Sequence, residues 1–167
     1  MAVVKIMPFP YTGDRDLMNL CRYVVSPAKT YNGFYTFGRG AEPCSAYEDF
    51  CEVQVLFDKT DGHRAYHIII SFDSKYAFCA DDGMTMAYRI SEFFYPDYQV
   101  VCGVHVDQEN LHAHLAVNAV SMNPENTRKL HISPYMMSLL SRTAENVERN
   151  MAEFTQGGNR EFINDKP

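Results

Sequence analysis

The sequence predicts an α+β fold, a mainly antiparallel sheet flanked by helices in a sandwich. Three observations carry that expectation. Residues 64–73, RAYHIIISFD, alternate as a strand. Residues 98–107 and 111–122 read as two further strands, joined by a connection too short for a crossover helix, so they pair antiparallel. Segments of helical period separate the strands, and a sheet of this kind is expected to carry its helices on one face.

The elements follow in order. VVKIMPF (3–9) is a first strand. DRDLMNLCRYVVS (14–26) is a short helix, with Asp14 as its N-cap and Leu17, Leu20, Cys21 and Val24 at helical spacing. PAKTYNGFYTFGRGAEP (27–43) reads as a loop with room for a short hairpin, and 44–60 as a helix closed by the turn signal DGH. In the strand 64–73, Tyr66, Ile68, Ile70 and Phe72 take one face, and His67, Ile69 and Ser71 the other. DDGMTMAYRISEFFY (81–95) has a core stripe of Met84, Ala87, Tyr88, Ile90 and Phe94. A long helix opens at Ser133 as N-cap, with Pro134 at its first position, and runs to 154. The domain is expected to span residues 3–155, with 156–167 a frayed tail.

Composition narrows the function. No apolar run approaches the ~20 residues of a membrane span, and the N-terminus lacks a signal-peptide pattern, so a cytoplasmic protein without membrane partners is expected. Five scattered cysteines without a CxxC pair point to buried reduced thiols rather than a disulfide framework or a zinc ribbon. Net charge is −6, which argues against a general nucleic-acid coat. The distribution is uneven, however. Residues 1–40 carry five basic against two acidic side chains, +3, which leaves −9 for the rest.

Three of the six histidines fall within ten residues, in HVDQENLHAHLAVN (105–118). His112 and His114 share a strand face with Ala116 and Asn118, while Leu111, Ala113, Leu115 and Val117 take the core face. A two-residue loop at Gln108–Glu109 sets His105 directly opposite His112, with Cβ atoms about 4.5–5.5 Å apart. Three imidazoles then converge on one patch, an arrangement that suits a divalent metal with open positions. Asp107 is a candidate to orient His105, to bind the metal or to start the turn. His67 points to the same side as Ser71 and either lines a site or packs within the sheet. Three histidines and a metal do not by themselves define a reaction.

Three segments in order supply a second signal. LMNLCRYVVSPAKT (17–30) places Tyr23 on a helix ahead of a Lys-Thr; AYHIIISF (65–72) is a strand ending in Ser-Phe; HVDQENLHAHLAVN has the form HxDxxNxHxHxxxN. Together they resemble the relaxase/mobilisation nuclease family, the MOBP-type nucleases of plasmids and conjugative elements within the HUH endonuclease superfamily. The resemblance covers roughly residues 3–155, and the third segment is its specific part. It implies an antiparallel sheet flanked by helices, Tyr23 as catalytic nucleophile, and His105, His112 and His114 as ligands of Mg²⁺ or Mn²⁺, with Zn²⁺ as a further choice. It also implies Ser71 as a DNA contact and Asn118 as a member of the site. Asp107 and His67 are candidates for the base that deprotonates the tyrosine. The substrate implied is single-stranded DNA at an origin of transfer, with accessory relaxosome proteins as partners. Arg22, Lys29 and Arg39 are candidate backbone contacts, and Tyr31, Phe34, Tyr35 and Phe37 candidate stacking surfaces. A rolling-circle replication initiator, and a non-cleaving DNA-binding accessory module, are the alternative readings.

Overall fold

The protein is described by a computed structural model covering residues 1–77, 79–107 and 110–161. The elements are β1 (Val3–Ile6), α1 (Asp14–Val24), β2 (Thr36–Arg39), a 3-10 turn at Pro43–Ser45, α2 (Ala46–Leu56), β3 (Ala65–Ser71), α3 (Ala80–Ser91), β4 (Tyr98–His105), β5 (His112–Ser121) and α4 (Pro134–Glu161). The five strands form one sheet in the order β1-β3-β5-β4-β2, and every neighbouring pair is antiparallel. The fold class is therefore the α+β one that the sequence predicts.

The β4–β5 register is the expected one, His105 opposite His112 and Gly103 opposite His114. The Gln108–Glu109 loop lies outside the described residues. The predicted strand faces hold as well. Ile68, Ile70, Cys102, Val104, Ala113, Leu115 and Val117 form the main core with α3 and α4, through Met86, Ile90, Leu140 and Ala144.

The helices cover both faces of the sheet, not one. Val101 and Ala116 on the second face pack under α1 and α2, against Leu17, Leu20, Cys21, Val24 and Phe50. β4 and β5 are thus buried on both sides along almost their whole length, as central strands of a two-sided sheet are. This second face carries the histidines. Its small residues allow α1 to lie close: at Gly103, a Cβ would stand 2.0 Å from the Val24 carbonyl oxygen.

Other boundaries differ for local reasons. The N-cap of α1 is Gly13 in extended backbone, while Asp14 begins the helix and binds the Arg64 guanidinium. Asp14 and Asp16 then sit in the first turn, where carboxylates favour the helix dipole. The loop 27–43 contributes an edge strand, β2, paired with β4 rather than forming its own hairpin. Ser133 caps α4 as expected, its hydroxyl accepting from the Met136 N–H at 3.2 Å. The helix continues to Glu161, beyond 154 and into the segment expected to fray; residues 162–167 lie outside the described residues. Of the cysteines, Cys21 and Cys102 are buried, Cys51 is intermediate, and Cys44 and Cys79 are exposed; all five are free.

Candidate active site

The last turn of α1 brings Tyr23 over the histidine face of the sheet. Its ring meets His67, His105 and His114 edge-on, with centroids 5.8, 5.3 and 5.4 Å away, and the side chain remains 41% exposed. An accessible phenol thus stands over three buried imidazoles drawn from β3, β4 and β5.

The imidazoles are fixed by specific partners. His105 Nε2 lies 3.1 Å from the Val24 carbonyl, which can only accept, so Nε2 carries the proton and Nδ1 the lone pair. The His105 and His114 rings stack at 4.0 Å. His114 Nδ1 lies 2.9 Å from His67 Nε2, and His67 Nδ1 lies 3.2 Å from the Tyr11 hydroxyl. This chain has two proton arrangements. If Tyr11 donates, the His114 proton is forced onto Nε2. If the Tyr11 oxygen accepts, His67 accepts from His114 Nδ1 and His114 Nε2 is left with a free lone pair. Only the second makes His114 an Nε2 ligand.

Burial keeps these rings neutral. It is the largest influence on all three, pushing His67 down to about 4 and His114 to about 3, with the neighbouring His105 lowering both further. His105 is also lowered, chiefly by burial, against the raising effect of its bond to Val24. Neutral imidazole is the form that binds metals.

A cavity of 340 Å³ opens beside Tyr23 and is lined by Lys5, Lys29, Ser71, His105, Asp107, His112 and His114. Ser71 stands opposite His112 on the adjacent strand. The structure therefore gathers Tyr23, His105, His112, His114, Ser71, Asp107 and Lys29 in one place. Among the described residues, no group of three or more His, Cys, Asp or Glu forms a ready metal-holding set. The donor chemistry nevertheless fits a divalent ion, since three imidazoles line one cavity and two of them are held neutral.

Other expectations need correction. Asp107 does not orient His105: it pairs with Lys29 at 2.7 Å, which holds its carboxyl below the usual range, while the Val24 carbonyl orients His105. Asn118 lies four residues beyond His114 and is fully buried. Its amide donates to Phe50 O and Gln99 Oε1, and its oxygen accepts from Gln54 Nε2 and the Val120 N–H, so every hydrogen-bonding position is used in tying α2 to the sheet. Arg39 projects toward α3, with its guanidinium 3.8 Å from the Tyr88 ring centroid and paired with Glu92. Phe37 packs against the same Tyr88. Arg22 lines a separate cavity between α1 and α2.

Two site residues escaped the sequence reading. Lys5 was legible, because alternation in VVKI sets it opposite the core-facing Val4 and Ile6. Tyr11 was not, because its place depends on a loop residue at φ 45°.

Residues 23–152 match the family described as "Relaxase: MobA/VirD2-like, nuclease domain". The chain belongs to this relaxase family. Over 123 residues the relaxase is 27% identical to the protein TraI of Escherichia coli, covering 71% of this chain and 16% of TraI. Over 80 residues it is 30% identical to the protein rlx of Staphylococcus aureus, covering 46% of this chain and 24% of rlx. The relaxase chain thus aligns with about a quarter or less of these relatives' length. Its fold is similar to that of a solved structure described under "Molecular Basis of Vancomycin Resistance Transfer in Staphylococcus aureus". The TM-score is 0.63 at 12% identity, covering 93% of this chain and 94% of that one. No helix among the described residues is long and apolar enough to cross a membrane.

Proposed function

We propose that this relaxase domain nicks one DNA strand at an origin of transfer by tyrosine transesterification. The observation that carries the reading is the exposed Tyr23 ring standing over His67, His105 and His114 at the rim of a cavity lined by Lys5, Lys29 and Ser71. The Tyr23 oxygen attacks the phosphorus of a single-stranded substrate as the 3′ oxygen leaves. Tyrosine loses one proton and the leaving oxygen gains one, giving a 5′-phosphotyrosyl strand and a free 3′-OH. One phosphoester replaces another, so the strand can be rejoined. Lys5 and Lys29 meet the phosphate backbone, and the Ser71 hydroxyl offers it a hydrogen bond. His105, His112 and His114 would hold a divalent cation, Mg²⁺, Mn²⁺ or Zn²⁺, which when bound withdraws charge from the phosphate. Tyr11 and His67 orient His114 for that role.

The test uses oligonucleotides carrying the transfer origin of the element that encodes the chain, labelled at either end, with and without Mg²⁺ or Mn²⁺. An SDS-resistant adduct that retains only the 3′-end label is expected, and Tyr23→Phe should abolish it while leaving strand binding within a few-fold. An adduct that persists in Tyr23→Phe would refute the assigned nucleophile. Strand binding without any adduct would favour a non-cleaving accessory module.

A further inference from the structure

Tyr23 separates two cavities of different chemistry. The cationic one holds the histidines and lysines. The other, of 490 Å³, lies toward the N-terminal loop and is walled by Phe9, Tyr11, Asp16, Asn19, Tyr23 and His67. Its size falls within the range of sites that take small planar ligands. Tyr23 and Ile69 line both, so a group in one is adjacent to a group in the other. No Lys or Arg is among the described residues that line the second cavity, which therefore does not suit a phosphate. Aromatic walls with amide and carboxylate edges suit an uncharged, flat group with hydrogen bonds around its rim.

The local structure presents those edges as one row. Asp16, Asn19 and Tyr23 recur at i, i+3 and i+7 along α1 and so share a helix face that ends at the tyrosine. Across from them, Phe9 is 49% exposed and meets Tyr11 edge-on at 4.9 Å. Tyr11 holds a positive φ of 45°, which a bulky residue seldom adopts, and its hydroxyl is tied to His67. The aromatic wall is thereby pinned to the histidine cluster.

We propose that this second cavity receives one unpaired nucleobase of the strand, adjacent to the phosphate that Tyr23 attacks. The base stacks on Phe9 and is hydrogen-bonded at its edge by Asp16 and Asn19. This rests on the reading of the chain as a strand-nicking enzyme. A carboxylate only accepts hydrogen bonds, so Asp16 favours a base with an exocyclic amino group; thymine has none, and its single edge donor, N3–H, lies between two carbonyl oxygens that a carboxylate repels. The cavity is then a specificity site, reading one base while the neighbouring site binds the backbone.

An abasic scan tests it. Each nucleotide of a single-stranded oligonucleotide carrying the transfer origin is replaced in turn by an abasic residue. Equilibrium binding and adduct rate are then measured for the wild type, Phe9→Ala and Asn19→Ala. Both side chains are largely accessible, so the variants should fold. One abasic position is expected to weaken the wild type about 5- to 150-fold, the span of one base–aromatic stack. In Phe9→Ala the same lesion should cost less than about twofold more. Thymine at that position should lose affinity against the amino-bearing bases, and Asp16→Asn should blunt the difference. If no abasic position loses its effect in Phe9→Ala, the base site is overturned, and a normal wild-type adduct would leave the nuclease reading standing. A coupled position in binding without any adduct would overturn the nuclease reading alone. Neither adduct nor coupling would overturn both.

Discussion

Substituting Gly103 by Ala tests what holds the tyrosine in place. Gly103 lies on β4 opposite His114, directly under the end of α1. An added methyl would stand 2.0 Å from the Val24 carbonyl oxygen and 3.0 Å from Thr30 Cγ2, where ordinary contact begins at 3.4 Å. Val24 must then retreat from 2.0 to at least 3.4 Å, about 1.4 Å. The obstructing atom is backbone, so no rotamer change relieves it. The same oxygen accepts the His105 Nε2 proton, and Tyr23 is the preceding residue. A displacement of the helix end therefore moves Tyr23, the proposed nucleophile, and frees His105 to change tautomer. A misplacement of about 1 Å costs on the order of 10²-fold in rate. Overpacking costs about 1–3 kcal/mol of stability, roughly 2–12 °C in Tm for a chain of this size. The assay pairs the adduct rate at saturating oligonucleotide with a thermal melt and a binding titration. Gly103→Ala is expected to remain folded, bind the strand within a few-fold and form adduct about 100-fold more slowly. A folded variant that forms adduct within threefold of wild type would show that α1 docking on Gly103 does not set Tyr23.

Other outcomes follow from the same contacts. Tyr11→Phe removes the acceptor that selects the His114 tautomer with a free Nε2, so metal affinity measured by titration calorimetry should fall about 10- to 100-fold, the usual effect of losing such a partner. Unchanged affinity would show that the Tyr11–His67 chain does not orient His114. Asn118→Ala leaves Gln99 Oε1 and Gln54 Nε2 each short of one buried partner, at about 1–3 kcal/mol apiece. A Tm drop of roughly 4–24 °C should result, with strand affinity per folded molecule unchanged. Burial pushes the Cys21 thiol up to about 12, so its thiolate fraction at pH 8 is about 10⁻⁴. Brief alkylation followed by mass spectrometry should therefore label Cys44 and Cys79 and spare Cys21 and Cys102.

What the sequence made legible was local. A short connection restricts the register of the two strands it joins, which is why His105 and His112 could be set opposite one another from the letters alone. The buried stripe of α1 follows from helical spacing for the same reason. Strand order is not local. His67 joins His114 because β3 lies beside β5, and no short-range signal fixes that neighbour. The second helical layer was hidden for a related reason. Its contact residues on the sheet include Val101, Ala116 and Gly103, small or ambiguous side chains that do not announce a covered face. Asn118 misled because strand alternation puts it on the histidine side, and alternation is silent about distance along the strand. Four residues amount to roughly 13 Å. Arg39 misled because TFGR carries no pattern to say which way an edge strand faces.

The electrostatics connect the acidity of the chain to the chemistry proposed for it. The relaxase carries −6 overall, yet residues 1–40, which carry +3, contribute Lys5, Tyr23 and Lys29 to its candidate site. Even there, permanent positive charge is scarce. Lys29 is already matched by Asp107, which leaves Lys5 as the unmatched cation of the cavity among its described lining residues. His105 and His114 add none, because burial keeps them neutral. A phosphodiester brought to Tyr23 would therefore meet a cavity of suitable shape and donor type but with too little charge to offset its own. Neutral imidazoles around such a phosphate are useless as counter-charges and well suited as ligands. A divalent cation on His105, His112 and His114 would supply the charge that the side chains lack. The burial that lowers the basicity of His105 and His114 and the shortage of lysines are thus two sides of one arrangement, in which a bound metal would carry the positive charge.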